Sequence, residues 1–188
     1  NTIIGGDAGK ALTAGAANVA VGAFALEAET GYGYNTAIGY KTLRVQDAGA
    51  NAYNVAVGFS AGKTVSTGTY NTLIGSNAGD SLTTGSRNVA IGNSALASED
   101  GNGYTVAIGY EALKSQNAGA TSYNVAMGYQ AGLAITSGVE NVLIGGLAGD
   151  ALTTGESNVA IGYEALSIED ANGKNVAIGR RALKSQNA

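Results

Sequence analysis

The chain has 188 residues, a formal net charge of −4 and only 13% charged residues, a balance that excludes the basic patches of an electrostatic nucleic-acid binder. It contains no Cys and no His, which removes disulfides, thiolate metal sites and the usual general base. Thirty glycines, no proline and no apolar run near the ~20 residues of a membrane span describe a chain of tight turns rather than of spanning helices.

One short block recurs from end to end, and its clearest copy is Asn158-Val159-Ala160-Ile161-Gly162. It opens at Asn1, Asn18, Asn35, Asn54, Asn71, Asn88, Thr105, Asn124, Asn141, Asn158 and Asn175. The spacing is 17 residues, except after Asn35 and Thr105, where it is 19. A fixed short period is the signature of a solenoid. Each block is β-branched and ends on glycine, so it predicts a strand. The fold class expected is all-β: a parallel β-solenoid, a β-roll or β-helix, of about eleven coils of 17–19 residues.

Between the strand blocks the coils alternate. The residue after the loop's conserved small residue is Gly9, Leu26, Leu43, Gly62, Gly79, Leu96, Leu113, Gly132, Gly149, Leu166 and Leu183 in turn. Coils with Gly there carry Leu12, Val65, Leu82, Ile135 or Leu152 three positions later, so either type brings one large aliphatic group to the interior. Four coils make a unit of 70 residues: 35–104 and 105–174 are whole units, 1–34 and 175–188 partial ones. The single repeat domain 1–188 therefore reads as a piece cropped from a longer fibre. No signal peptide is recognisable in it.

Alternate residues of a strand face opposite sides, and here both sides are apolar. A thin roll has one interior, so the second face calls for another chain. The small middle residue suits close approach about an axis, which predicts an oligomer seam of Ala20, Ala37, Ala56, Leu73, Ala90, Ala107, Ala126, Leu143, Ala160 and Ala177. A homo-oligomer, most simply a trimer, is expected. The other arrangement open to this pattern packs the second face on the coil's own return strand. The leading Asn fits a left-handed turn and a side-chain ladder up the column. The Gly that closes each block fits a positive backbone angle at the corner.

No catalytic constellation is present, and no cofactor is expected; the chain does not read as an enzyme. The acidic loops offer weak calcium candidates in Glu99, Asp100, Asn102, Glu169, Asp170 and Asn172, which otherwise read, with Glu27 and Glu29, as solvated loop charges. Tyr34, Tyr53, Tyr70, Tyr104 and Tyr123 immediately precede strand blocks and are the candidate surface-binding residues; rows of exposed rings can stack on sugars, or simply cover the loops. Tyr40, Tyr110, Tyr129 and Tyr163 follow the block's glycine. Thr83/Thr84 and Thr153/Thr154 recur too sparsely for an ice-binding array.

The stretch Asn88-Val89-Ala90-Ile91-Gly92-Asn93-Ser94-Ala95 and its copies resemble the head repeats of trimeric autotransporter adhesins of the YadA type, with a longer period here. The longer pattern at 71–85, 141–155 and 1–15 resembles repeat regions of phage tail fibres. The resemblance implies a trimeric β-roll, extracellular, at a cell surface or on a virion. The function expected is a rigid structural shaft that spaces or presents a surface-binding region. The alternatives are a direct glycan-binding adhesin head or a self-assembling extracellular filament.

Overall fold

A computed structural model describes residues 1–101, 103–119, 121–168, 171 and 173–184. Eleven three-residue strands form one parallel sheet in strict sequence order. They are β1 (Thr2–Ile4), β2 (Val19–Val21), β3 (Thr36–Ile38), β4 (Val55–Val57), β5 (Thr72–Ile74) and β6 (Val89–Ile91). They continue as β7 (Val106–Ile108), β8 (Val125–Met127), β9 (Val142–Ile144), β10 (Val159–Ile161) and β11 (Val176–Ile178). Each strand pairs in register with the equivalent residues of the next coil, as in Thr72↔Val89, Leu73↔Ala90 and Ile74↔Ile91. The expected β-solenoid of 17–19-residue coils is thus the fold, with one strand per coil and turns for the rest. Among the described residues no helix is long and apolar enough to cross a membrane.

Two columns fix the register. The first is the leading Asn. Its side-chain Oδ1 accepts the backbone N–H of the Asn one coil on, at 2.8–3.1 Å from Asn1 to Asn88 and again from Asn124 to Asn175. Its Nδ2 reaches a carbonyl 14 residues on, such as Gly85 from Asn71 or Gly155 from Asn141, both at 2.9 Å. The same amide therefore closes its own coil and ties it to the next. Thr105 interrupts the amide column, and its hydroxyl turns instead to Ser122 at 2.5 Å. The ladder is as expected, but the left-handed geometry is not on Asn. It falls on the residue before it: φ is 63° at Tyr34, 59° at Tyr70 and 61° at Arg87.

The second column is the corner glycine. Its φ lies between 121° and 141° in every coil. A Cβ on Gly92 would stand 2.3 Å from the carbonyl oxygen of Gly109 and 2.6 Å from its carbon. Backbone meets backbone there, so no rotamer change can relieve the clash.

The core is a single stack inside the coils. The middle strand residue points into it, and this overturns the predicted seam. Ala20, Ala37, Ala56, Leu73, Ala90, Ala107, Ala126, Leu143, Ala160 and Ala177 are all buried within one chain, at 0–1% exposure. Alternation fixes only that the two faces differ, and the small residue marks the crowded interior rather than an axis between chains. Leu73 and Leu143 are plugs, as their periodicity implies, but of this interior. Gly62 and Gly79 leave the room: a Cβ on them would meet Leu73 methyl carbons at 2.6 and 2.8 Å.

Candidate functional site

Because the middle residue faces in, its two strand neighbours face out. The outward face therefore carries two residues from each of eleven strands, and all are Val, Ile or Met except Thr2, Thr36 and Thr72. Ile38, Ile74, Met127 and Ile144 are exposed, and the outward valines of β2–β10 are half-buried, with Ile91, Ile108 and Ile161. A continuous apolar strip of this kind is unusual on a surface that meets water. Rungs stack every ~4.8 Å, so the strip is on the order of 50 Å long.

Two columns of larger side chains flank it. On the side where the chain enters the strand stand Tyr34, Tyr53, Tyr70, Arg87, Tyr104 and Tyr123, on successive coils. All are turned outward at left-handed backbone positions, φ 50–63°. Such angles cost a bulky residue roughly 1–2 kcal/mol. Stacking supplies compensation. Tyr34 and Tyr53 lie 5.0 Å apart at 19°, Tyr53 and Tyr70 5.2 Å apart at 11°. The Arg87 guanidinium sits between Tyr70 and Tyr104, 5.6 and 5.3 Å from their centroids, and Tyr104 meets Tyr123 at 5.5 Å. Offset stacking and cation–π contact of this kind contribute roughly 0.5–1.5 kcal/mol each. On the exit side Phe24, Tyr40 and Phe59 form a second cluster, and Tyr110 and Tyr129 a third at 5.5 Å.

The five tyrosines singled out from sequence are thus brought together in one exposed row. Tyr34, Tyr53 and Tyr70 turn their ring faces toward one another, Arg87 lies between Tyr70 and Tyr104, and Tyr104 and Tyr123 are tilted by 38°. Sequence reasoning did not find Arg87 as the sixth member of the row. The signal was available, since Arg87 holds the same position before Asn88 that Tyr70 holds before Asn71.

The acidic residues lie elsewhere and differ from expectation. Glu29 and Glu99 are fully buried, not solvated. They occupy the column that holds Leu12 and Leu82 in other coils, because each lies four residues after the loop's buried alanine. Their polar atoms are met there. The Tyr32 N–H donates to Glu29 at 3.1 Å, and Gln116 Nε2 donates to Glu99 at 3.0 Å. Burial raises the Glu29 carboxyl above its usual range; the Tyr32 N–H opposes this and Asp47 adds to it. Glu99 is therefore a core residue, while Asp100 is exposed with its backbone carbonyl accepting from Thr83 and Thr84. Asn102, Glu169, Asp170 and Asn172 lie outside the described residues. Among the described residues no three His, Cys, Asp or Glu side chains gather as metal ligands, and no pocket opens.

Ion pairs run between coils along the loop side: Arg44 with Glu27 at 2.6 Å, and Arg181 and Lys184 with Glu164 at 2.7 and 2.5 Å. The two cations, Lys184 first, hold the Glu164 carboxyl down at about 2.

No protein-family model matches the chain, and no curated protein or solved structure gives a significant match. The functional reading therefore rests on the surface itself.

Proposed function

We propose that this chain is a segment of a rigid extracellular fibre shaft, carried at a cell surface or on a virion, in which identical chains lie side by side on their outward sheet faces. The observation that carries the reading is the uncovered strip of Val and Ile running the length of an in-register stack. With its flanking rails the strip runs the full ~50 Å of the stack, a length on the scale of a specific interface. Water contact over that area is unfavourable by roughly 25 cal/mol per Å², and a second copy presents the same complementary surface. Three copies closing about an axis is the favoured arrangement, in line with the resemblance of the Asn-Val-Ala-Ile-Gly block to adhesin head repeats.

Direct glycan binding through the tyrosine row is the weaker reading, because the inner rings of the row present their faces to one another rather than to a sugar. Sedimentation and small-angle scattering test the proposal. The expected result is an elongated trimer that Val106→Asp with Ile108→Asp converts to an elongated monomer with unchanged β circular dichroism. A wild-type chain that stays monomeric at high concentration overturns it.

A further inference from the structure

Tyrosine is the main electron donor of this chain, which has no Cys, Trp or His and a single Met. The fold then places exposed tyrosines one rung apart. Tyr34, Tyr53 and Tyr70 stack at 5.0 and 5.2 Å with planes within 19° of parallel, and Tyr110 stacks on Tyr129 at 5.5 Å and 8°. The backbone under them is held in register by the strand ladder and the Asn column. Two reactive rings are thus kept at near-contact distance with little entropy left to lose, the condition under which a bimolecular coupling becomes effectively intramolecular.

We propose that these stacks are sites of oxidative cross-linking, in which successive coils are joined by dityrosine bonds. The co-reactant is a haem peroxidase with hydrogen peroxide. Each of two phenols gives up one electron and one proton to the oxidant and becomes a phenoxyl radical. The radicals join at ring carbons ortho to oxygen, and the hydrogens on those carbons move to the oxygens as the rings regain aromaticity. Overall, two phenols and one hydrogen peroxide give one biphenol and two waters. The rings must tilt from face-to-face toward edge-to-edge, which their half-exposed positions permit. The bond closes a loop between coils, as a disulfide would in a chain that has none, and raises resistance to unfolding.

The exit-side cluster supplies a control. Tyr40 and Phe59 lie 5.4 Å apart at 20°, the same geometry, but Phe59 has no hydroxyl and forms no phenoxyl radical. The proposal does not depend on the side-by-side assembly, since the bonds form within one chain.

The experiment treats dilute protein with peroxidase and peroxide, then reads dityrosine fluorescence and maps linked peptides by mass spectrometry. The expected result is intrachain linkage of Tyr53 to Tyr34 or Tyr70, and of Tyr110 to Tyr129, with a raised urea midpoint. Tyr53→Phe, which keeps the ring, removes the first set and leaves the second, because Tyr34 and Tyr70 are then two rungs apart, about 10 Å. Phe59→Tyr adds a new link at Tyr40. The proposal is overturned if linkage occurs only between chains, if the urea-unfolded chain gives the same linked pairs in the same yield, or if Met127 oxidises while no dityrosine forms.

Discussion

Coil 5, around Leu82, and coil 6, around Leu96, solve one packing problem in two ways. In coil 5 the left-handed position after the buried alanine is Gly79, φ 57°, and the interior is filled by Leu73 and Leu82. In coil 6 the same position is Leu96, φ 52°, the middle strand residue shrinks to Ala90, and the aliphatic at the fourth position becomes Glu99. The backbone path is common to both, so the strain of a left-handed Leu is accepted where its side chain is needed inside. A carboxyl can enter the core because amide donors stand nearby: Asn35 Nδ2 lies 3.4 Å from Glu29, and Gln116 Nε2 donates to Glu99 at 3.0 Å. Between these two coils the interior stays filled while the residue at each loop position changes, and Leu73 also fills the space that Gly62 leaves in the coil before it.

Substitutions that break what the two coil types share should do the most damage. Gly92→Ala puts a Cβ against the backbone of Gly109 and is expected to cost ~3–5 kcal/mol in urea denaturation. Asn71→Ala removes the bonds to Gly85 O and from Asn88 N, and an expected loss of ~2–4 kcal/mol is checked the same way. One coil type can also be converted into the other. Gly79→Leu alone should lose ~1–3 kcal/mol, since its side chain meets Leu73 and Leu82. Adding Leu73→Ala and Leu82→Gln should recover at least half of that; no recovery would mean that volume is not what the alternation conserves.

The smallest expected effect is electrostatic. The folded pKa of Glu29 is raised, so the protonated carboxyl is favoured on folding. Its contribution is fully present below the ordinary carboxylate range and is lost as pH rises through the folded value. Glu29→Gln should therefore stabilise the chain at neutral pH by about 1 kcal/mol or less, with the gain vanishing toward pH 4 in paired melting curves. Glu164 has the opposite sign. Its lowered pKa of about 2 means stability present above the unfolded value of 4.5 and lost as pH falls toward 2, so Glu164→Gln should flatten the acid limb of the same curve.

Much of this was legible in the sequence. The period, the strand blocks, the register and the amide ladder follow from the spacing of Asn and Gly alone. The direction of the middle strand residue was not, because a two-sided apolar strand reads the same in either parity. The pairing of Leu73 with Gly62 and Gly79, large beside small, is the clue that places it inside. The burial of Glu29 and Glu99 was hidden by their charge, although their column is that of Leu12 and Leu82. Nothing in a tyrosine announces a left-handed backbone, so the sequence points to Asn, one residue after the true position.

The ladder bonds run along the stacking direction, so a pull on the two ends of the stack loads every rung in series. Such a column yields at its weakest link, and the amide column is interrupted where Thr105 stands in place of Asn. Under tension this rung is the expected fuse: single-molecule extension should show the first rupture there, and Thr105→Asn should raise the force at which it occurs.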